Sequence, residues 1–253
     1  MADRKNLTTR ADATNVADAT NVADATNVAG RSPSTDIDAF LAAARRSAPG
    51  SGSGSGLGRL VFAMDATMSR QPSWDRAIAR QSEMFAAVER IGTLDVQLVY
   101  FRGFRECRAS RWVSDPASLR SLMERIDCRG GQTQIGKVLA HALKENAKRP
   151  VAAVAYVGDA MEEGVDALCA RAGELGLHGV KLFMFQDGRD GATERAYREM
   201  ARLSGGAYAR LDEGSADRLA ELLAAVAAYA AGGLKALEAR GEGGRKLLTQ
   251  MRR

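Results

Sequence analysis

The sequence predicts an α/β fold: a doubly wound, mostly parallel six-stranded sheet with one antiparallel edge strand and helices on both faces. Two observations predict it. From residue 59 onward, short apolar runs alternate with stretches of helical periodicity, the rhythm of strand–helix–strand units. The runs themselves, such as Leu60-Val-Phe-Ala-Met64 and Val154-Ala-Tyr-Val157, are apolar throughout, as expected of strands buried on both faces.

Residues 59–64 form the first expected strand, and 74–91 a helix with Ile78, Met84, Phe85 and Val88 on its apolar face. A second strand at 96–101 runs through Arg102-Gly-Phe-Arg105 into 107–113, its expected hairpin partner and the antiparallel edge. Pro116 opens a helix to about residue 126, because proline is pre-set for a first helical turn. Helices at 134–148, 165–175 and 194–203 then alternate with strands at 151–157, 180–185 and 206–211, and a helix at 216–231 closes the domain. In such a sheet the site lies beyond the carboxyl ends of the strands, where the strand order reverses.

The first 58 residues have another character. Ala-Asp-Ala-Thr-Asn-Val occurs three times across 11–28, too short an array to bury a core, and reads as a disordered tail expanded by duplication. Segment 34–46, with Ile37, Phe40, Leu41 and Ala44 on one face, predicts a short amphipathic helix that docks on a partner or folds back on its own domain. Residues 48–58 are a flexible Gly/Ser linker. Their Gly-x-Gly repeats precede the first strand instead of following it into a helix, which removes a dinucleotide-binding reading. The expected organisation is a tail at 1–58, a folded domain at 59–234 and a basic tail at 235–253.

The formal net charge of +5 invites a nucleic-acid partner. Most of the excess, however, sits in 235–253, with six basic residues against two acidic ones, and no stripe of aromatic and basic residues accompanies it. No nucleic-acid role is expected. Cys107, Cys128 and Cys169 form no C-x-x-C pair, and His141 and His178 are too few for a nitrogen-rich metal site. No apolar run approaches ~20 residues, so no membrane span is expected. The segment Met1-Ala-Asp-Arg-Lys-Asn6 lacks the apolar core of a signal peptide, and the chain is expected in the cytoplasm.

Chemistry concentrates in three places. Asp65-Ala-Thr-Met-Ser69 follows the first strand with one carboxylate and two hydroxyls spaced two apart. Gly130-Gly-Gln-Thr133 adds a hydroxyl from a Gly-rich loop, and Asp159 follows the fourth strand. Adjacent central strands would bring Asp65, Thr67, Ser69, Thr133 and Asp159 to one point, a set of hard oxygens suited to a small divalent cation.

In this arrangement the sequence resembles a von Willebrand factor A (VWA) domain with a metal-ion-dependent adhesion site, of the bacterial cytoplasmic type. The family pattern is Asp-x-Ser-x-Ser, a Thr in a Gly-rich loop and an Asp after the fourth strand, in that order, and residues 59–231 cover the domain. The resemblance implies Mg²⁺ (or Mn²⁺) as cofactor. Thr67 and Ser69 would offer hydroxyls directly, Thr133 would join in the ligand-bound state, and Asp65 and Asp159 would act largely through water. It also implies a protein partner that supplies a carboxylate to the metal, an AAA+ ATPase or chaperone being one class, and an adaptor instead of an enzyme.

Two departures stand out. Thr67 replaces the usual Ser, and Gly158-Asp-Ala-Met-Glu-Glu163 replaces the usual Thr-Asp-Gly. Glu162 and Glu163 would tighten metal binding, block an acidic partner or cap the next helix. A metal-independent VWA scaffold and a Mg²⁺-dependent phosphotransferase using Asp65 are the alternatives. The phosphotransferase needs a second Asp two residues on as its acid/base, and Thr67 cannot titrate for that role.

Overall fold

The computed structural model of the chain describes residues 58–88, 93–211 and 216–251. The hexapeptide repeats, the expected helix at 34–46 and the Gly/Ser linker up to residue 57 lie outside these. Six strands are described: β1 (Gly58–Asp65), β2 (Leu94–Arg102), β3 (Glu106–Val113), β4 (Ala153–Gly158), β5 (Lys181–Asp187) and β6 (Ala207–Leu211). They form one sheet in the order β3-β2-β1-β4-β5-β6. All neighbours are parallel except the β2–β3 hairpin. The chain thus steps from β1 to β2 on one side and returns to β4 on the other, so the order reverses between β1 and β4.

The helices are α1 (Gln71–Arg80), α2 (Ser82–Val88), α3 (Pro116–Met123), α4 (Ile135–Lys148), α5 (Val165–Leu177), α6 (Gly191–Ser204), α7 (Ala216–Glu238) and α8 (Gly241–Met251). The two-residue period of β1 divides the core. Leu60, Phe62 and Met64 meet side chains of α1–α3, α7 and α8 on one face. Val61 and Ala63 meet those of α4–α6 on the other. Every residue of β1 is buried, which explains the unbroken apolar run Leu60–Met64. Each large apolar side chain so removed from water contributes about 1.5–3 kcal/mol.

Local signals set most boundaries. Asp115 caps α3 by accepting the Ser118 N–H at 2.8 Å, with Pro116 in the first turn. Asp190 does the same for α6 through Thr193, and Gly205 ends that helix in the left-handed region at φ +67°.

Three expectations differ from the structure. The single helix expected at 74–91 is two, α1 and α2, because Met84 N bonds Gln81 O and tightens the turn at buried Gln81. The closing helix runs past residue 231 to Glu238, interrupted by Gly233 at φ 67° and ψ −157°. Its stretch Asp217–Glu238 is long and apolar enough by composition to cross a membrane. It is apolar because Leu219, Leu222, Leu223 and Val226 are buried, and α7 lies against α2 and β1. Finally, the stretch expected as a basic tail contains α8, whose Leu247 and Leu248 join the core. The Gln250 side-chain amide bonds both backbone groups of Tyr208 on β6, each at 2.9 Å.

One long-range polar cluster ties β1 to α4. Arg59 is 6% exposed, lies 3.7 Å over the Trp112 ring and reaches Glu145 Oε2 at 3.3 Å. One turn earlier on α4, half-buried His141 places Nε2 2.9 Å from Gln97 Oε1. Burial lowers the imidazole pKa, with Lys148 and Lys144 adding to the effect and Glu145 opposing it. A lowered folded pKa means the unfolded chain takes up the proton more readily. The His141 contribution is therefore present above about pH 6.5 and fades as pH falls toward the folded value. Urea midpoints measured between pH 7 and 5 should fall, and His141→Gln should flatten that part of the slope.

Candidate metal centre

The crevice at the reversal point is built by three loops. β1 ends in Asp65, which is 1% exposed, and the 3₁₀ turn Met68–Arg70 follows. The Gly130–Thr133 loop is laid across the strand ends by backbone bonds: Arg129 N to Ala66 O at 3.0 Å and Gln132 N to Gly103 O at 3.1 Å. A Cβ on Gly131 would fall 2.2 Å from Gly103 O, so only glycine permits this approach. The third loop leaves β4 through Asp159 and continues to Gly164, the N-cap of α5.

All five expected residues, Asp65, Thr67, Ser69, Thr133 and Asp159, line one cavity of about 260 Å³. Asp65 Oδ1 accepts the Thr67 N–H at 2.7 Å, an Asx-type turn that fixes both residues. Thr67 Oγ1 stands 3.3 Å from Ser69 Oγ, and Ser69 donates to Asp159 Oδ2 at 3.1 Å. Thr133 Oγ1 accepts the Glu162 N–H at 3.0 Å. The hydroxyls of β1's loop and the carboxylate after β4 thus already form a chain of oxygen contacts across the crevice.

The donor set fits a divalent cation that prefers oxygen, namely Mg²⁺ or Mn²⁺. It is all oxygen, with two carboxylates and three neutral hydroxyls. Among the described residues no group of three His, Cys, Asp or Glu side chains is arranged to hold a metal. The two carboxylates would balance the charge of a bound dication, and five protein oxygens fall short of a six-oxygen shell, so water or an outside oxygen would have to complete it.

Further residues belong to the site than the sequence pattern singled out. Met68, Gly130, Gly131, Ala160 and Glu162 also line the cavity. On β4, two residues before Gly158, the Tyr156 hydroxyl is buried. A Cβ on Gly158 would lie 2.6 Å from that hydroxyl, so Gly158 makes room for it. Burial, then nearby Tyr197 and Asp65, push this phenol well above its ordinary pKa and keep it neutral. No sequence signal marks Tyr156, because its placement depends on the β1–β4 register that pairs Ala63 with Tyr156.

Glu163 does not cap the helix after it, as the sequence suggested. It caps α4: its carboxylate accepts the N–H groups of Ile135 and of Gly136, the latter at 2.9 Å. The N-cap residue Gln134 makes no capping bond, because its side-chain oxygen accepts from Lys137 Nζ at 2.7 Å while its NH₂ donates to Gly103 O at 3.2 Å. Glu163 therefore supplies the negative charge that the helix N-terminus favours.

Solved structures with the same arrangement of strands and helices include VWA domains. A von Willebrand factor type A protein from Catenulispora acidiphila superimposes with a TM-score of 0.58 at 16% identity, over 70% of this chain and 43% of that one. The SpRpn10 VWA domain gives 0.50 at 11% identity, over 66% of this chain and 95% of that one. The fold is that of a VWA domain. An aerotolerance-related membrane protein from Bacteroides fragilis is similar too, at TM-score 0.52 and 20% identity, covering 66% of this chain and 96% of that one. Identities this low speak for the fold alone. No family model matches the sequence, and no curated protein matches it.

Proposed function

We propose that the VWA-like domain is a protein-binding adaptor module that presents a divalent cation, Mg²⁺ or Mn²⁺, to a carboxylate of a partner protein. One observation carries this reading: the five oxygen-bearing residues, drawn from three separate loops, line a single cavity. Thr67, Ser69 and Thr133 would hold the ion through hydroxyls, and Asp65 and Asp159 would orient its waters. A cation held mainly by neutral hydroxyls supplies an electropositive position open to an outside carboxylate. A cytoplasmic AAA+ ATPase or chaperone is one partner class compatible with the reading.

The cavity wall is not charged alone. Met68, which lines it, is 66% exposed, and Phe104, in the β2–β3 turn beside Gly103, is 74% exposed. A partner segment with apolar residues around its acidic one would cover both. Against a phosphotransferase, Asp65 is buried with Oδ1 held by the Thr67 N–H, and Thr67 offers no titratable group.

Thermal unfolding with and without metal tests the proposal. With a dissociation constant of about 1 mM, 10 mM Mg²⁺ stabilises by roughly 1.4 kcal/mol. That corresponds to a rise in Tm of about 3–5 °C for a domain of this size. An unchanged Tm in both Mg²⁺ and Mn²⁺, at any concentration up to 10 mM, would leave the metal-independent scaffold as the better reading.

A further inference from the structure

Glu162 and Thr133 exchange two hydrogen bonds. The Glu162 backbone N–H donates to Thr133 Oγ1 at 3.0 Å, and the Thr133 backbone N–H donates to Glu162 Oε2 at 3.1 Å. This is the reciprocal pattern of a helix capping box, here made between residues 29 apart in sequence and on two different loops. One of those loops follows β4, and the other leads into α4. Glu163, the next residue, holds the first turn of α4. Two consecutive carboxylates of the β4 loop therefore grip the segment from Thr133 to Gly136.

We propose that Glu162 is a positioning residue for the cation: it fixes the Thr133 hydroxyl at the cavity before any partner arrives. The inference rests on the metal-binding reading above. Three features support it. Glu162 lines the same cavity as Asp65, Ser69, Thr133 and Asp159. Thr133 Oγ1 uses one lone pair on the Glu162 N–H and keeps another for a cation. The backbone bonds of this loop to the strand ends come from Arg129 and Gln132, and the Thr133 N–H is held by Glu162 instead.

Mn²⁺ affinity, read from the loss of the free-ion electron paramagnetic resonance signal, tests this on the full chain. Wild type, Glu162→Ala, Glu162→Gln and Thr133→Ala are compared, with Tm in chelator as the folding control. Glu162→Ala keeps the backbone bond and loses the carboxylate bond, and its Kd should rise about tenfold with Tm in chelator within about 2 °C of wild type. Glu162→Gln retains an oxygen for the Thr133 N–H, and its Kd should stay within about threefold of wild type. Adding Glu162→Ala to Thr133→Ala should change nothing further, since both act through one hydroxyl. Equal Kd values for wild type and Glu162→Ala overturn the inference while leaving the metal site standing. Equal losses in Glu162→Gln and Glu162→Ala also overturn it, because the charge and not the geometry would then be at work. No Mn²⁺ binding by wild type overturns the metal reading itself, and this proposal with it.

Discussion

Glu145→Ala is expected to lower the stability of the domain by about 3–5 kcal/mol, seen as a fall in urea midpoint with an unchanged slope. Glu145 is 6% exposed and serves three donors: Arg59 at 3.3 Å, Trp112 Nε1 at 3.0 Å and Lys148 Nζ at 2.5 Å. Burial alone would raise its pKa, yet the hydrogen bonds from Lys148 and Trp112 carry it below the ordinary carboxylate value. Burial lowers the pKa of Arg59, helped by Arg149 and opposed by Glu145. Without Glu145, the guanidinium would remain buried against Trp112, still donating to the Arg149 carbonyl 2.6 Å away. A buried cation stripped of its counter-charge is among the few single changes this costly. Arg59→Met in the same background should recover part of the loss, because it removes the stranded charge. A midpoint shift worth less than about 1 kcal/mol for Glu145→Ala would mean that water reaches Arg59 and the cluster is not sealed.

Asp65→Asn is expected to remove most of the metal-dependent rise in Tm while leaving the fold intact. The amide oxygen of Asn can still accept the Thr67 N–H, now held at 2.7 Å, so the turn after β1 survives. What disappears is one of the carboxylate charges that line the cavity. Loss of an orienting carboxylate near a metal weakens binding by about 10–100-fold. At 10 mM metal that removes most of a stabilisation which is about 1.4 kcal/mol when the dissociation constant is about 1 mM. Calorimetric titration of the variant with Mg²⁺ should show the same loss. Retention of wild-type affinity would place the ion elsewhere and detach the proposed function from this cavity.

Much of the centre was legible because its information is local. A strand that ends in Asp65 presents Thr67 and Ser69 by spacing alone, and Gly130-Gly131 announces a loop before a helix. The alternation of runs also gave the sheet, because buried parallel strands are apolar on both faces. What escaped depends on partners distant in sequence. The role of Glu163 required knowing that the β4 loop lies against the start of α4, 27 residues earlier. The Arg59–Glu145 pair spans 86 residues and has no periodic signature. Helix α8 was missed for a related reason. Gly241-Glu-Gly-Gly244 has poor helix propensity, and the helix exists through packing. A Cβ on Gly243 would lie 2.4 Å from a Glu221 carboxylate oxygen, and one on Gly244 would lie 2.2 Å from Leu237 O. Gly244, against backbone, is there for closeness and not for freedom.

The bond pair between Gln250 and Tyr208 has an effect on the sheet as a whole. β6 is a terminal strand, and a terminal strand offers its outer row of amide and carbonyl groups to any extended segment that drifts alongside. The amide of Gln250 meets one residue of that row with an N–H donor and a C=O acceptor, as a neighbouring peptide would. It amounts to a seventh strand one residue long. A stray segment could not zip along β6 past Tyr208 without first dislodging α8 and the leucines beneath it. Sheet growth at this edge is thereby coupled to the packing of the core.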